Sequence, residues 1–127
     1  MAKTPTYTEI HQEHRQWLTD LNFYHDEVKY YQNQLAQIAA RDTEDHYHKK
    51  IVTFKRRFFE TLEQIDKLRY NIYKHEKELA EQEQLAERTR IHINEDHHAK
   101  KEEFNKFLDS YEQLKEDFNA FASDALE

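Results

Sequence analysis

The chain has 127 residues, with no cysteine, no glycine and one proline, and its formal net charge at pH 7 is −7. The absence of cysteine excludes disulfides, thiol nucleophiles and thiolate metal sites, and the absence of glycine excludes the common glycine-rich phosphate loops. Because tight β-turns usually need glycine, this composition predicts an all-α protein built from a few long helices.

The first predicted helix runs from about residue 6 to residue 40. Thr6 followed by Glu9 matches a capping box, in which each side chain binds the free backbone amide of the other residue. Apolar or aromatic side chains then recur at alternating intervals of three and four residues, a stripe that we call the seam of the helix and that packs against partner helices. The seam residues are Tyr7, Ile10, His14, Trp17, Leu21, Tyr24, Val28, Tyr31, Leu35 and Ile38.

The second predicted helix runs from about residue 43 to residue 88. Asp42 and Thr43 are favourable N-cap residues, and Glu44 and Asp45 suit the positive end of a helix dipole. The short loop between the two seams predicts an antiparallel helical hairpin. The second seam comprises Tyr47, Ile51, Phe54, Phe58, Thr61, Ile65, Leu68, Ile72, His75 and Leu79.

The third predicted helix covers residues 95–124, after a polar segment between Gln82 and Lys101 in which the seam is weak. Asn94 with two acids behind it resembles an N-cap, so we place a turn between Arg88 and Asn94. The third seam comprises Phe104, Phe107, Tyr111, Leu114, Phe118 and Phe121. The prediction is one domain over residues 1–127, an elongated antiparallel three-helix bundle with coiled-coil-like packing. The alternative is a hairpin with one very long second helix.

The start of the second helix is basic, and the end of the third helix is acidic. The cations are Lys49, Lys50, Lys55, Arg56 and Arg57. If the third helix folds back, the two charged stretches meet, which sets its orientation more than its stability. The same cations with interleaved aromatics are a candidate anion or nucleic-acid site. Nucleic-acid binding is unfavoured, however, because the net charge is negative and the aromatics belong to the seam.

Histidines near one end of the hairpin form a second candidate site. The antiparallel register places His11, His14 and His75 close together, with Glu13 and Glu76 beside them. Histidines and glutamates on facing helices of a bundle can bind metal ions. Two alternatives stay open: polar seam residues can serve only to fix the register, and buried imidazoles can make a bundle respond to pH.

Several aromatic and branched side chains fall outside the seams, which predicts a further contact surface and a homodimer. They are Phe23, Tyr30, Val52, Phe59, Tyr70 and Tyr73. We expect a non-enzymatic, cytoplasmic interaction or scaffold protein without a cofactor, because no catalytic constellation, apolar leader or membrane span is visible. Metal binding and anion binding are the alternative functions.

Overall fold

The chain folds into three antiparallel α-helices, as predicted. The computed structural model describes the backbone of residues 6–82 and 87–126 and the side chains of residues 6–81 and 95–126. Helix α1 is Tyr7–Arg41, α2 is His48–Gln82 and α3 is Glu87–Ala125, and the described residues contain no strand. The all-α three-helix prediction is therefore confirmed.

The third helix folds back onto the second, so the alternative with one very long second helix is wrong. Phe58 of α2 packs edge-on against Phe118 of α3, with 5.0 Å between ring centroids. In one continuous helix these residues would lie about 90 Å apart, at about 1.5 Å per residue. The predicted charge pairing is also present, because Arg57 Nη1 lies 3.0 Å from Asp117 Oδ2.

The seam residues of all three helices form the core. All of those named above are buried except Tyr7, Tyr24 and Tyr47, which are partly buried at the edges of the core. Burying one stripe per helix explains how a chain with 35% charged residues still forms a continuous core. The six apolar or aromatic side chains that fall outside the seams are exposed, as predicted: Phe23, Tyr30, Val52, Phe59, Tyr70 and Tyr73.

The start of α1 shows the Thr6 half of the predicted capping box. Thr6 has extended backbone, and its Oγ1 accepts a hydrogen bond of 3.1 Å from the backbone N–H of Glu9. This contact satisfies one of the four amides that a helix start leaves without an intrahelical partner. It fixes α1 at the end of the bundle where the candidate histidines lie.

The connection from α1 to α2 is longer than predicted, because α2 begins at His48 and not near residue 43. Asp42 is the C-cap of α1, and its Oδ2 accepts a hydrogen bond of 3.0 Å from the N–H of Tyr47. Asp45 has a φ of 55°, a left-handed conformation that aspartate tolerates better than most residues. Two aspartates thus build the turn in a chain without glycine.

The boundary between α2 and α3 also needs correction. The predicted turn between Arg88 and Asn94 lies inside α3, whose helical backbone begins at Glu87. Residues 83–86 are outside the described residues. Asn94 resembles a cap in sequence, but it lowers helix stability only modestly, and no proline or glycine follows it to end a helix. The earlier start of α3 places His97 within the bundle.

Among the described helices, none combines the length and the apolar character needed to cross a membrane.

Candidate metal centre

Three histidines, one from each helix, meet at one level of the bundle. His14 of α1, His75 of α2 and His97 of α3 have exposed fractions of 0%, 2% and 4%. Their ring centroids are separated by 5.0 Å (His14–His75), 5.0 Å (His14–His97) and 6.1 Å (His75–His97). One nitrogen from each ring lies within 4.8 Å of the other two. We call this group the three-histidine cluster.

The cluster separates two apolar regions. On one side Trp17 stacks on His97 with 5.1 Å between centroids and an interplanar angle of 9°, and Phe104 stacks on Trp17 at 5.2 Å. Ile10 and Leu79 form a small separate apolar cluster on the other side. The imidazoles are therefore held between packed apolar side chains, which limits their rotation.

Carboxylates lie next to one ring nitrogen in two of the three imidazoles. We call these nitrogens, His14 Nδ1 and His97 Nε2, the outer nitrogens, and the other nitrogen of each ring the inner one. Glu76 Oε1 lies 2.5 Å from His14 Nδ1, and Glu13 Oε1 lies 3.4 Å from His97 Nε2. The inner nitrogens of the same rings, His14 Nε2 and His97 Nδ1, face each other at 3.1 Å. In many metal sites a carboxylate holds the outer N–H of a ligating histidine in this way and fixes which nitrogen faces the ion.

The hydrogen bonds of these two histidines cannot all be satisfied by neutral rings. A neutral imidazole has one N–H donor. If His14 donates from Nδ1 to Glu76, its Nε2 must accept from His97 Nδ1, and His97 Nε2 then has no proton for Glu13. His97 Nε2 and Glu13 Oε1 are indeed buried without a hydrogen-bond partner among the described residues. A cation at the inner nitrogens would let His97 carry its proton on Nε2 and donate it to Glu13.

His75 is the least satisfied member of the cluster. Both of its ring nitrogens are buried, and neither has a hydrogen-bond partner among the described residues. Burying a polar group without a partner costs about 1–3 kcal/mol on scales taken from protein mutations. A cation at the centre of the cluster would give one of these nitrogens a partner, because the nitrogen would act as a ligand of the ion.

All three imidazoles favour the neutral state in which histidine binds metals. Burial lowers the pKa of His14 and of His97. Burial, followed by the repulsion that His14 when protonated and Lys100 exert on a charged ring, lowers the pKa of His75 to about 4. At neutral pH the cluster therefore presents lone pairs rather than charged rings.

The structure brings together two of the three histidines that were predicted as metal ligands, and a histidine outside that prediction lies beside them. His14 and His75 converge, but His11 is half-exposed on the rim, with its Nδ1 2.5 Å from Glu76 Oε2. His97 takes the third position. His97 lies seven residues before Phe104, in phase with the third seam. This spacing was the feature of the sequence that indicated a buried position for His97.

The candidate anion site lies near the opposite end of the bundle and is partly neutralised. Lys49, Lys50 and Arg57 share a groove with Asp117 and Asp124. Arg57 is paired with Asp117 there. Arg56 lies 3.9 Å from Glu60. These acids reduce the attraction of the groove for an anion.

No protein-family model matches the chain, and neither the curated proteins nor the solved structures include a significant match.

Proposed function

We propose that the protein binds one divalent transition-metal ion, with zinc as the first candidate, through His14, His75 and His97. The observation that carries this proposal is the convergence of three buried imidazoles from three helices, with ring nitrogens that lack hydrogen-bond partners among the described residues. Imidazole nitrogen is a favoured ligand of zinc, copper, nickel and iron.

The charges around the cluster favour a divalent ion over a monovalent one. Three neutral imidazoles bring no charge, and Glu13 and Glu76 bring two negative charges at the outer nitrogens. These carboxylates would offset part of the charge of a divalent cation, although Glu13 also pairs with Lys101 at 3.7 Å, and this offset lowers the cost of burying the ion. The same two carboxylates would keep His14 and His97 oriented toward the ion.

The spacing of the inner nitrogens is compatible with zinc. Two imidazole nitrogens bound to a tetrahedral zinc at about 2.0–2.1 Å lie about 3.3 Å apart. His14 Nε2 and His97 Nδ1 are 3.1 Å apart. One nitrogen of His75 lies within 4.8 Å of a nitrogen of each of the other two rings, so His75 is the ligand that would have to move closer to complete the coordination.

The burial of the cluster supports a structural rather than a catalytic role. A catalytic zinc keeps a coordination position open to its substrate. Three imidazoles would leave a fourth position here as well, but the three residues are at most 4% exposed, so a substrate has no access to it. An ion at this position would connect all three helices, and no substrate needs to reach it. We therefore propose a non-enzymatic role in which the metal joins α3 to the α1–α2 hairpin.

The test is metal analysis of protein purified without a histidine tag after growth with added zinc. We expect about one zinc ion per chain in the wild type, and loss of the ion in His14→Ala, His75→Ala and His97→Ala. His98→Ala is the matched control, because His98 is adjacent to His97 but exposed and paired with Glu102. It should retain the metal.

The proposal fails if the wild type holds no stoichiometric zinc, copper, nickel or iron after each metal is supplied. It also fails if the three alanine variants retain as much metal as His98→Ala, because binding would then come from surface histidines.

Self-association through exposed aromatic side chains is a second candidate function, and it is compatible with metal binding. Val52, Phe59 and Tyr73 lie at intervals of seven or fourteen residues on α2, and each is more than half exposed. Residues at that spacing share one face of a helix. An apolar stripe of this kind favours a protein partner or a second copy of the chain.

Sedimentation velocity over a range of concentrations tests this candidate. We expect a dimer for the wild type and a monomer for Phe59→Glu, with Glu63→Gln as an exposed control on the same helix. A wild type that stays monomeric at the highest concentration would contradict self-association.

A further inference from the structure

We propose that His11 and Glu76 form an outer site that captures the metal ion from solvent and passes it to the buried three-histidine cluster. This inference rests on the proposed metal binding and assigns a role to the predicted ligand that the cluster does not use. It concerns how the ion reaches the cluster, not which side chains hold it there.

One carboxylate connects an exposed imidazole with a buried one. Glu76 Oε2 contacts His11 Nδ1 at 2.5 Å, and Glu76 Oε1 contacts His14 Nδ1 at 2.5 Å. The exposed fractions of these side chains fall from 50% for His11 to 22% for Glu76 and 0% for His14. The three side chains therefore lead from the surface to the cluster. His11 and Glu76 offer metal-binding atoms on the outside, and Glu76 lies against the protonated outer nitrogen of His14, whose inner nitrogen belongs to the cluster.

A cleft opens at the outer end of this path. It has a volume of about 280 Å³ and is lined by Tyr7, Thr8, His11, Glu76, Leu79 and Ala80. Among the described residues of this lining, the metal-binding side chains are His11 and Glu76, and none is a lysine or an arginine. An ion entering past these residues would therefore meet a carboxylate and an imidazole.

The side of the cluster next to α3 is less favourable for a cation. Lys101 Nζ lies 3.7 Å from Glu13 Oε1, on the outer side of His97. Lys100 is close enough to His75 to contribute to its lowered pKa. Because like charges repel at these distances, the α1–α2 side is the better route.

Rates of metal binding separate a residue on the route from a ligand of the final site. A group that only eases passage changes the association and release rate constants by the same factor, because it leaves the bound state unaltered. A ligand of the final site mainly slows release, and its loss weakens the affinity.

The experiment mixes metal-free, untagged protein with Co²⁺ in a stopped-flow instrument and follows quenching of Trp17, the only tryptophan of the chain. Trp17 stacks on His97, so its fluorescence reports arrival of the ion at the cluster. Release is measured by mixing the loaded protein with excess EDTA.

We expect His11→Ala to lower both rate constants by about tenfold, in line with the effect of local charge and ligand density on association rates. The ratio of the two rate constants, which gives the Kd, should stay within about threefold of the wild-type value. A threefold change corresponds to only about 0.65 kcal/mol of binding free energy. His11→Lys, which places a cation at the mouth, should slow association further. His98→Ala should match the wild type in both rates.

The inference is overturned if His11→Ala associates as fast as the wild type. It is also overturned if the variant releases cobalt faster and binds it more weakly, because His11 would then be a ligand of the final site. If the wild type itself shows neither quenching nor retained cobalt, the proposed metal binding fails, and that result is distinct from either of these.

Discussion

Individual histidines in the cluster differ in how well their nitrogens are partnered. Both nitrogens of His14 have a partner, Glu76 on one side and His97 on the other. His75 has none among the described residues. We therefore expect the histidine at position 14 to stabilise the metal-free protein and the histidine at position 75 to destabilise it.

We predict that His75→Leu stabilises the metal-free protein by about 1–2 kcal/mol, because it removes a buried polar group without partners and keeps an apolar contact of similar size. His14→Leu should destabilise by about 1–3 kcal/mol, because it leaves Glu76 and His97 without their partner. Urea unfolding in EDTA measures both. A less stable His75→Leu protein would show that the ring nitrogens of His75 are satisfied.

We also predict that acid destabilises the metal-free protein through the same residue. The pKa of His75 is about 4 in the folded chain and about 6.5 in the unfolded chain. At pH 5 the unfolded state therefore binds a proton that the folded state does not, so stability is full above pH 6.5 and falls as the pH drops toward 4.

For His75 alone the loss between pH 7.5 and pH 5 is about 2 kcal/mol, and the lowered pKa values of His14 and His97 act in the same direction. Urea unfolding monitored by circular dichroism at the two pH values tests this. His75→Leu is the control and should lose less stability. Equal stability of the wild type at both pH values would contradict the prediction.

Among the helices, α3 depends most on the histidine site for its position. From residue 95 to residue 103 the only buried side chain is His97, and continuous core packing resumes at Phe104. The facing segments of α1 and α2 contribute Ile10 and Leu79, which pack on each other. Residues 95–103 of α3 therefore have little apolar area to hold them, since burial supplies most of the stability of a packed helix.

We predict that metal slows hydrogen exchange in residues 95–103 much more than in the C-terminal half of α3. A ligand bond from His97 would connect this weakly packed segment to α1 and α2, and local opening would then require breaking that bond. Hydrogen exchange by mass spectrometry with zinc and with EDTA measures the difference. Residues 107–121, whose seam is buried in the core away from the cluster, are the internal control.

Exchange in residues 95–103 that is equally slow with zinc and with EDTA would contradict this prediction. Such a result would mean that packing alone holds residues 95–103. His97→Ala should show fast exchange in this segment under both conditions.

For the whole molecule, metal binding and folding are linked, because the cluster draws ligands from all three helices. An unfolded chain does not bring His14, His75 and His97 together, so the free energy of binding adds to the free energy of unfolding. The far end of the bundle needs no such support, because Phe54, Phe58, Phe118 and Phe121 pack against one another there.

We predict that zinc at about one hundred times its Kd stabilises the protein by about 2.7 kcal/mol, which raises the Tm by about 10 °C for a chain of this size. Thermal unfolding followed by circular dichroism measures the shift, and EDTA should reverse it. His97→Ala should show no shift. An unchanged wild-type Tm at saturating zinc would mean that the ion does not bind the folded state preferentially.

Much of the fold was predictable because it follows from local periodicity. Alternating intervals of three and four residues identified the buried stripe of each helix, and the basic and acidic stretches indicated the orientation of α3, confirmed by the pair between Arg57 and Asp117. Helix boundaries were less predictable. Without glycine or proline, polar residues such as Asn94 are compatible with both a cap and a helix interior, and neighbouring packing decides between them.

The sequence by itself determined that the protein is all-α, that each helix buries one stripe, and that His14 and His75 lie on the buried side. Only the tertiary structure decided that His97 completes the cluster, that His11 stays on the rim, and that Glu76 contacts both His11 and His14. The physical reason is that helical periodicity fixes the direction of a side chain from its own helix. Which atoms meet across three helices depends on their relative rotation and axial position, and those follow from packing of the whole core.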